Sequence, residues 1–447
     1  MLQRCATLIA SAELPIVAAI GPVLLFPTPT RLLALFVVPL VWCCAWLTTG
    51  RAIPRTPLNV ALWLLLTMVA VSLYATFDVR FSLGKVSGVI LGVLLFWAVS
   101  RWITTRERLS IGLAAFLLAG GALAILGVLG TNWIEKFSVF GAIVELLPKA
   151  IRGIPGAEEG FHPNAVAGSL VLFVPLQIAL LAGGPDLWRH ARQTTSGRNT
   201  GLMVIQALVL VLTAGTLLLT QSRGAWVSLM AATIAFFAWH SGRTRVLATA
   251  VAGGVVSIAL TLGPERLFNL AISRSGPGMA SSVSGRMELW SRALYGIQDF
   301  PFTGMGMNAF RKVMPALYPT FLTSPDFDVA HAHNHLLQAA LDLGIPGLVA
   351  YVSVWILTGV LLVRVYCGSG ERADRAMAGG LGAGFIAHFV FSMTDAIPLG
   401  AKVGVLFWFA LALAVALHNV TLGVTLGVTP GHAGVTPGPR TASQHES

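Results

Sequence analysis

The sequence has 447 residues, of which 55% are hydrophobic and only 11% are charged, whereas an average soluble domain has roughly 25% charged residues. This composition excludes an ordinary soluble globular protein and predicts an all-α polytopic membrane protein. The net charge of +11 does not indicate a nucleic-acid partner, because the basic residues stand one to three at a time between apolar runs.

Twelve apolar runs are candidates to cross a hydrocarbon core about 30 Å thick, for which a helix needs about 20 residues. In chain order they are residues 6–26, 32–48, 58–76, 82–100, 109–131, 165–183, 201–220, 225–240, 246–262, 345–366, 377–393 and 402–422. We expect one membrane domain over residues 1–422, with two long polar segments at 132–164 and 263–344, the second a large loop containing helices. Residues 423–447 repeat a Val-Thr-Leu-Gly pattern without an apolar packing face, which predicts a disordered tail.

Arginines in the short loops predict the orientation, because cytoplasmic loops carry an excess of Lys and Arg. Five alternate loops carry this excess: Arg51 and Arg55; Arg101, Arg106 and Arg108; Arg189, Arg192 and Arg198; Arg243 and Arg245; Arg364, Arg372 and Arg375. Both termini are therefore predicted to be cytoplasmic, and both long polar segments to lie outside.

Two groups of external arginines could bind an anion. Arg223 lies in the tight turn 221–224, where helices on both sides would hold it rigidly at the membrane surface. The long external segment also contains basic residues that topology does not require, among them Arg286 and Arg311. The alternative interpretations are an arginine that reaches lipid headgroups, for Arg223, and solvated surface arginines for the others.

The densest polar cluster is His331-Ala332-His333-Asn334-His335. On a helix, His331 and His333 would point about 200° apart, so we predict no metal site. A neutral imidazole suits a proton acceptor, although a histidine that caps or packs a helix remains an alternative.

A second external cluster precedes the sixth apolar run. Asn164 is interpreted as the cap of that helix, with Pro163 fixing its entry. His162 is a candidate to face the same external cavity as the histidine cluster.

Four stretches together resemble the O-antigen ligase and polymerase superfamily of bacterial membrane glycosyltransferases. They are QSRGAW, SGRMELW, PFTGMGMNAF and HAHNHLLQAALDLGIPG. The ligases in this superfamily carry His, then Asn, Ser or Gln, nine residues, Gly, two residues and Gly, which His333, Asn334, Gly344 and Gly347 fit. The resemblance covers roughly residues 160–400 and is strongest over 205–350.

The resemblance implies transfer of a glycan from a polyprenyl diphosphate carrier, such as undecaprenyl diphosphate, to an acceptor hydroxyl. This transfer would occur at the outer face of the bacterial cytoplasmic membrane, in lipopolysaccharide or other envelope polysaccharide synthesis. It would invert the anomeric configuration and use no metal or other cofactor. Arg223 and Arg286 would stabilise the departing diphosphate, and His333 would act on the acceptor hydroxyl. The further predicted substrate contacts are Asn334, His162, Trp290 and Arg311.

The sequence is compatible with three classes of function. Within the superfamily, the chain could be a ligase, a polysaccharide polymerase or a protein O-oligosaccharyltransferase, because the glycan or glycolipid acceptor has no code in the sequence. Outside it, a solute or lipid transporter should place ionisable residues near the bilayer midplane. Glu13, Lys85 and His388 are the candidates there. A non-catalytic partner in envelope assembly is the third class.

Overall fold

The computed structural model describes residues 2–148, 150–153, 157–183, 196–240, 243–246, 248–251, 253–254, 283–322 and 329–423. The described residues form α-helices joined by loops, without a β-strand, which confirms the all-α prediction. The helices are α1 Leu2–Ser11, α2 Glu13–Leu25, α3 Val37–Thr49, α4 Asn59–Ala75, α5 Val79–Trp102, α6 Arg106–Gly130, α7 Gly141–Leu146, α8 Pro163–Leu170, α9 Val174–Gly183, α10 Ser196–Leu219, α11 Arg223–His240, α12 Val283–Asp299, α13 Phe310–Leu317, α14 His335–Gly368, α15 Arg372–Ser392 and α16 Val405–Leu422.

Within the described part of the chain, seven helical stretches are long and apolar enough to cross a membrane. They are Arg31–Thr49, Val79–Trp102, Arg106–Gly130, Pro163–Gly183, Gly201–Leu219, His335–Gly368 and Lys402–Leu422. Each coincides with a predicted run, and α4 and α11 are shorter apolar helices at two further runs. The predicted total of twelve stays a prediction, because most of the run 246–262 and the tail 424–447 lie outside the described residues.

The first predicted run, 6–26, is a bent pair of helices rather than one straight helix. Helices α1 and α2 meet at an angle of 56°. At the bend, the buried Glu13 carboxylate lies 2.6 Å from Nε of Arg101 and accepts a hydrogen bond from Trp42 Nε1 at 3.2 Å. A buried charge is tolerated only when it is paired, so these two contacts stabilise the Glu13 carboxylate at the start of α2.

The arginine-rich loops at 50–55, 101–106 and 369–374 meet at one end of the bundle. Arg101 donates to the backbone carbonyl of Arg51, and Arg106 forms a two-bond ion pair with Asp374 at 2.8 and 3.0 Å. Thr421, at the end of α16, also donates to Asp374. The candidate site described below lies at the opposite helix ends, and its external orientation stays a prediction.

A kink in α14 is held by the glycine-rich loop that follows α12. Gly344 has φ +70° and ψ 178° inside this helix, a conformation that is essentially restricted to glycine. Ile345 N donates to Pro301 O and Met305 N donates to Leu341 O, both at 2.7 Å. Gly304 in this loop, with φ +68°, allows the close approach of the two backbones, because a Cβ there would stand 2.6 Å from the carbonyl oxygen of Leu341.

The kink gives a testable stability prediction. A Cβ on Gly344 would stand 2.4 Å from the carbonyl oxygen of Phe302. Gly344→Ala should therefore lower the free energy of unfolding by at least about 1–3 kcal/mol, since the substituted residue would also hold an unfavourable φ. Thermal unfolding in detergent, followed by tryptophan fluorescence, measures the change.

Gly359→Ala in the same helix is the matched control, because a Cβ there meets no atom within 4 Å. It should leave stability unchanged or raise it by up to about 1 kcal/mol. Equal unfolding temperatures for the two variants would contradict this account of the kink.

Candidate active site

Arg223 lies in the tight turn between α10 and α11, as predicted, and contacts from the segment after α6 fix this turn. Gln221 has φ +52°, and its side-chain oxygen accepts the backbone N–H groups of Lys136 and Phe137 at 2.8 and 2.7 Å. The Arg223 guanidinium lies 5.0 Å from the centre of the Phe137 ring, and this ring stacks on Trp226. The segment after α6 is thereby fixed against the turn.

Lys136 connects this turn to the next element of the site. Its ammonium donates to the Thr220 carbonyl and to Asn164 Oδ1, each at 3.3 Å. Burial lowers the pKa of Lys136 to about 8; Asp395 opposes this shift and Arg223 adds to it. At neutral pH the ammonium is charged, so it adds a cation beside Arg223.

Asn164 does not cap α8, so that sequence interpretation is wrong. The cap is His162, whose Nδ1 accepts the Asn164 N–H at 3.2 Å, and Pro163 is the first helical residue as expected. The Asn164 side chain instead donates to Asp395 Oδ2 at 2.5 Å. A contact 231 residues away in sequence therefore outweighs the local capping preference.

His333 and Asp395 form the centre of the site. His333 Nδ1 lies 3.3 Å from Asp395 Oδ1, and the two side chains are only 22% and 15% exposed. Burial alone would raise the pKa of Asp395, but the hydrogen bond with His333 and the nearby Arg286 charge hold it well below its usual range. The carboxylate is therefore ionised and can only accept hydrogen bonds.

His331 lies beside His333, contrary to the prediction that the two point apart. That prediction assumed a helix, but α14 begins only at His335, with Asn334 as its cap. His333 has φ +51°, its N–H donates to His331 Nδ1 at 3.2 Å, and the two ring centres are 4.5 Å apart. One ligand atom each of His331, His333 and Asp395 lie within 4.8 Å of one another, a geometry that could hold a metal ion.

The backbone just before His333 is braced from two sides. The Ala332 N–H donates to Gln338 Oε1 at 2.9 Å, and its carbonyl accepts from Trp290 Nε1 at 3.0 Å. Gln338 in turn donates to Asp342 at 2.8 Å. These contacts hold the left-handed conformation at His333, which a non-glycine residue adopts only under such constraint.

Asn334 and His335 have structural contacts of their own. Asn334 Oδ1 accepts the N–H groups of Leu336 and Leu337, and its amide approaches the Met393 carbonyl at 3.5 Å. His335 is buried, with Nδ1 2.9 Å from the Tyr351 hydroxyl. The predicted binding role of Asn334 stays a prediction, with its side-chain oxygen capping the helix.

Arg286 faces the central pair from α12. Its residue surface is only 5% exposed, and its Nε has no hydrogen-bond acceptor among the described residues. Burial lowers the pKa of Arg286, while the Asp395 charge opposes that shift. A buried guanidinium with an unsatisfied donor is costly unless a ligand completes it.

The remaining predicted contacts lie around this centre. Trp290, one turn after Arg286, braces Ala332 as described, and His162 is exposed at the rim. Arg311 is half-buried at the start of α13 and interacts electrostatically with Lys85, which also influences His331. Their binding roles stay predictions.

Sequence reasoning missed Asp395 and Lys136. Both stand in segments between predicted apolar runs: Asp395 two residues after the run 377–393, and Lys136 within 132–164. The signal for Asp395 was that the segments predicted to be external contain few acids and many cations. A carboxylate in such surroundings is expected to pair with a cation or a histidine. Their partners could not be read from spacing.

Residues 208–352 match the sequence model of the O-antigen ligase family. This stretch contains Arg223, Arg286 and His333, so the resemblance predicted from the motifs is confirmed. The chain is a polytopic helical membrane protein, and its matched stretch, which is less than half of the chain, is similar to the O-antigen ligase family. Lys136, Asn164 and Asp395 lie outside the matched stretch but pack against it. A comparison with curated proteins finds no significant match.

The shifted lysine predicts a pH dependence for anion binding. Because the lowered pKa of Lys136 is about 8, its ammonium is charged below that pH and neutral above it. Affinity for inorganic diphosphate, measured by calorimetry on the detergent-solubilised protein, should therefore weaken as pH rises through about 8.

Lys136→Arg is the matched variant, since a guanidinium keeps its charge throughout this range. Its affinity should fall less than that of the native protein between pH 7 and 9, and the comparison cancels the titration of diphosphate itself. Parallel curves for the two proteins would remove Lys136 from anion binding.

Proposed function

We propose that this protein transfers a glycan from a polyprenyl diphosphate carrier to an acceptor hydroxyl, as an O-antigen ligase does, with inversion and without a metal. The observation that supports this most directly is the chain of contacts from Lys136 through Asn164 and Asp395 to His333. It joins a cation-rich turn to an imidazole backed by an ionised carboxylate.

The imidazole has the tautomer that a general base needs. Because ionised Asp395 can only accept, Nδ1 of His333 carries the proton in their hydrogen bond, and Nε2 keeps its lone pair. In the proposed step, Nε2 takes the acceptor hydroxyl proton while that oxygen bonds to the anomeric carbon. The bond from this carbon to the diphosphate breaks, and its electron pair leaves with the diphosphate. Attack opposite the leaving group inverts the anomeric configuration.

The cations meet the charge that develops on the leaving diphosphate. Arg286 approaches the network at its Asp395 end, and Arg223 approaches it at its Lys136 end. Guanidinium groups bind phosphate oxygens with two parallel hydrogen bonds. Charges held in place before the reaction stabilise the transition state without a reorganisation cost.

An apolar groove suits the prenyl chain of the carrier. A space of about 400 Å³ lies between α11, α14 and α15, lined by residues such as Phe236, Trp355, Leu362 and Ile386. The end of the groove nearest the candidate site is at Phe389, whose ring centre lies 4.8 Å from that of His335. His335 is two residues after His333, the proposed base. A lipid in this groove would place its head group near His333.

The transporter alternative has less support. Two of the ionisable residues it would use have structural partners: Glu13 pairs with Arg101, and His388 Nδ1 lies 3.2 Å from the Gly168 carbonyl. The polar network stands at the helix ends instead. Ligase, polymerase and protein O-oligosaccharyltransferase share this chemistry and differ in the acceptor.

We place the reaction at the outer face of the bacterial cytoplasmic membrane, following the arginine pattern of the short loops. Glu159 and Arg372 are exposed near opposite ends of the bundle. In a cysteine-free background and intact cells, an impermeant thiol reagent should label Glu159→Cys and spare Arg372→Cys. The reverse pattern would invert the orientation.

The base assignment predicts large losses of transfer for substitutions at the central pair. His333→Asn and Asp395→Asn should each lower the transfer rate by about 10²–10⁴-fold. Asparagine is chosen at His333 because it tolerates the left-handed backbone, so a loss would reflect the missing imidazole. Rates are measured with purified protein and a labelled lipid-linked glycan. Full turnover in either variant would refute the base assignment.

Arg223→Ala and Arg286→Ala should each cost about 2–4 kcal/mol in transition-state stabilisation, or about 10²–10³ in rate. Lysine should restore only part, because it cannot form the planar two-bond contact. Glu159→Gln, which removes an exposed charge, is the control and should keep native turnover. Near-normal turnover in an arginine-to-alanine variant would exclude that arginine.

His331→Ala and His335→Ala should each lower the transfer rate less than His333→Asn does.

A further inference from the structure

Three potential metal ligands converge at the centre of the site. They come from two elements: His331 and His333 from the segment before α14, and Asp395 from the loop after α15. One ligand atom of each lies within 4.8 Å of the other two, and the His333–Asp395 contact is already 3.3 Å. A cation between them would need only small side-chain movements, because metal–ligand distances near 2 Å allow ligand atoms to stand 3–4 Å apart.

The donor set selects a class of ion. Two imidazole nitrogens and one carboxylate oxygen suit Zn²⁺, which binds nitrogen and oxygen ligands tetrahedrally and leaves a fourth position for water when the protein supplies three. Mg²⁺ prefers octahedral oxygen ligands and keeps several waters, so it fits poorly here.

We propose that His331, His333 and Asp395 form an inhibitory site for Zn²⁺. The bound ion takes the ring nitrogen and the carboxylate oxygen that the proposed base and its partner otherwise share. His333 is then fixed as a ligand and no longer accepts the acceptor's proton. The inhibition rests on the proposed function, whereas the binding of zinc does not.

The surroundings set limits on this site. Asp395 supplies a negative charge for the ion, but Arg286 and Lys136 both interact with the same carboxylate and oppose a second cation there. An ion bound to His331 Nδ1 would displace the His333 N–H from that atom, a contact of 3.2 Å, whereas an ion bound to Nε2 would leave this contact in place. We therefore expect reversible binding, weaker than that of a structural zinc site with four protein ligands.

His331→Asn separates zinc binding from the architecture of the site. The Asn oxygen can accept the His333 N–H from nearly the same place as Nδ1, as asparagine does in a turn with its own backbone two residues on. The imidazole is lost as a ligand. His445→Asn makes the same substitution near the C-terminal end of the sequence and serves as the control.

Zinc binding is measured on the purified full-length protein by competition with a chelating indicator. The native protein and His445→Asn should bind one Zn²⁺ reversibly with equal affinity, and His331→Asn should bind it at least about 10-fold more weakly. Asp395→Asn should weaken binding similarly. Equal zinc affinity in the native protein and His331→Asn would overturn the assignment.

The inhibition is measured as glycan transfer with added Zn²⁺ or Mg²⁺. Zn²⁺ should inhibit the native protein at micromolar concentration, a chelator should restore activity, and His331→Asn should need at least about 10-fold more Zn²⁺. Mg²⁺ at the same concentrations should leave the rate unchanged. Zinc that binds without slowing transfer would refute the inhibitory role. A chelator that abolishes transfer would instead refute the metal-free reaction, and absent transfer under all conditions would refute the proposed function while the binding result stands.

Discussion

The Asp395 carboxylate is the contact on which the arrangement of the site depends. One oxygen accepts from Asn164 at 2.5 Å and the other faces His333 at 3.3 Å, so the starts of α8 and α14 and the end of α15 meet at one group. Burial of an ionised carboxylate is tolerated because these donors and the Arg286 charge compensate for lost solvation. The same charge selects the tautomer of His333. The hydrogen bond between Asp395 and His333 therefore both joins the helix ends and sets the protonation of the proposed base.

The cations around this carboxylate share Asp395 as an anionic neighbour, and part of their hydrogen-bonding capacity stays unused among the described residues. Arg286 has an unsatisfied Nε among the described residues, and Lys136 pairs with neutral oxygen atoms rather than with an acid. A diphosphate would complete these contacts. The proposed combination of a general base with these cations suits group transfer from a phosphorylated lipid better than passage of a solute.

Much of the fold could be predicted from the sequence because apolar runs of sufficient length report directly on membrane crossing. The bend between α1 and α2 and the start of α14 at His335 were not part of the predicted runs, although Glu13 and Pro15 already interrupt the first run in the sequence. The sequence did contain a signal for the second: Asn334 precedes the helical pattern and is a favoured cap. Reading it would have placed His331 and His333 outside a helix.

Some residues of the candidate site could be selected from the sequence by residue type and position. Arg223, Arg286 and His333 were identified by their type and external position, and the structure places them around one network. Asn164 was misassigned and Asp395 was missed because their mutual hydrogen bond joins residues 231 positions apart. Local preference decides a cap only where no stronger tertiary partner is within reach, and one sequence does not reveal such partners.

Reconstitution with a doubly labelled donor tests the central claim most directly. The purified protein, in vesicles with a chelator, receives a polyprenyl diphosphate glycan labelled in both glycan and lipid, together with a panel of glycolipid, glycan and protein acceptors. We predict that the glycan label appears on one acceptor hydroxyl with inverted configuration, with an equal amount of released polyprenyl diphosphate. Intact donor moved across the membrane without cleavage, or transfer that requires an added divalent ion, would contradict the account.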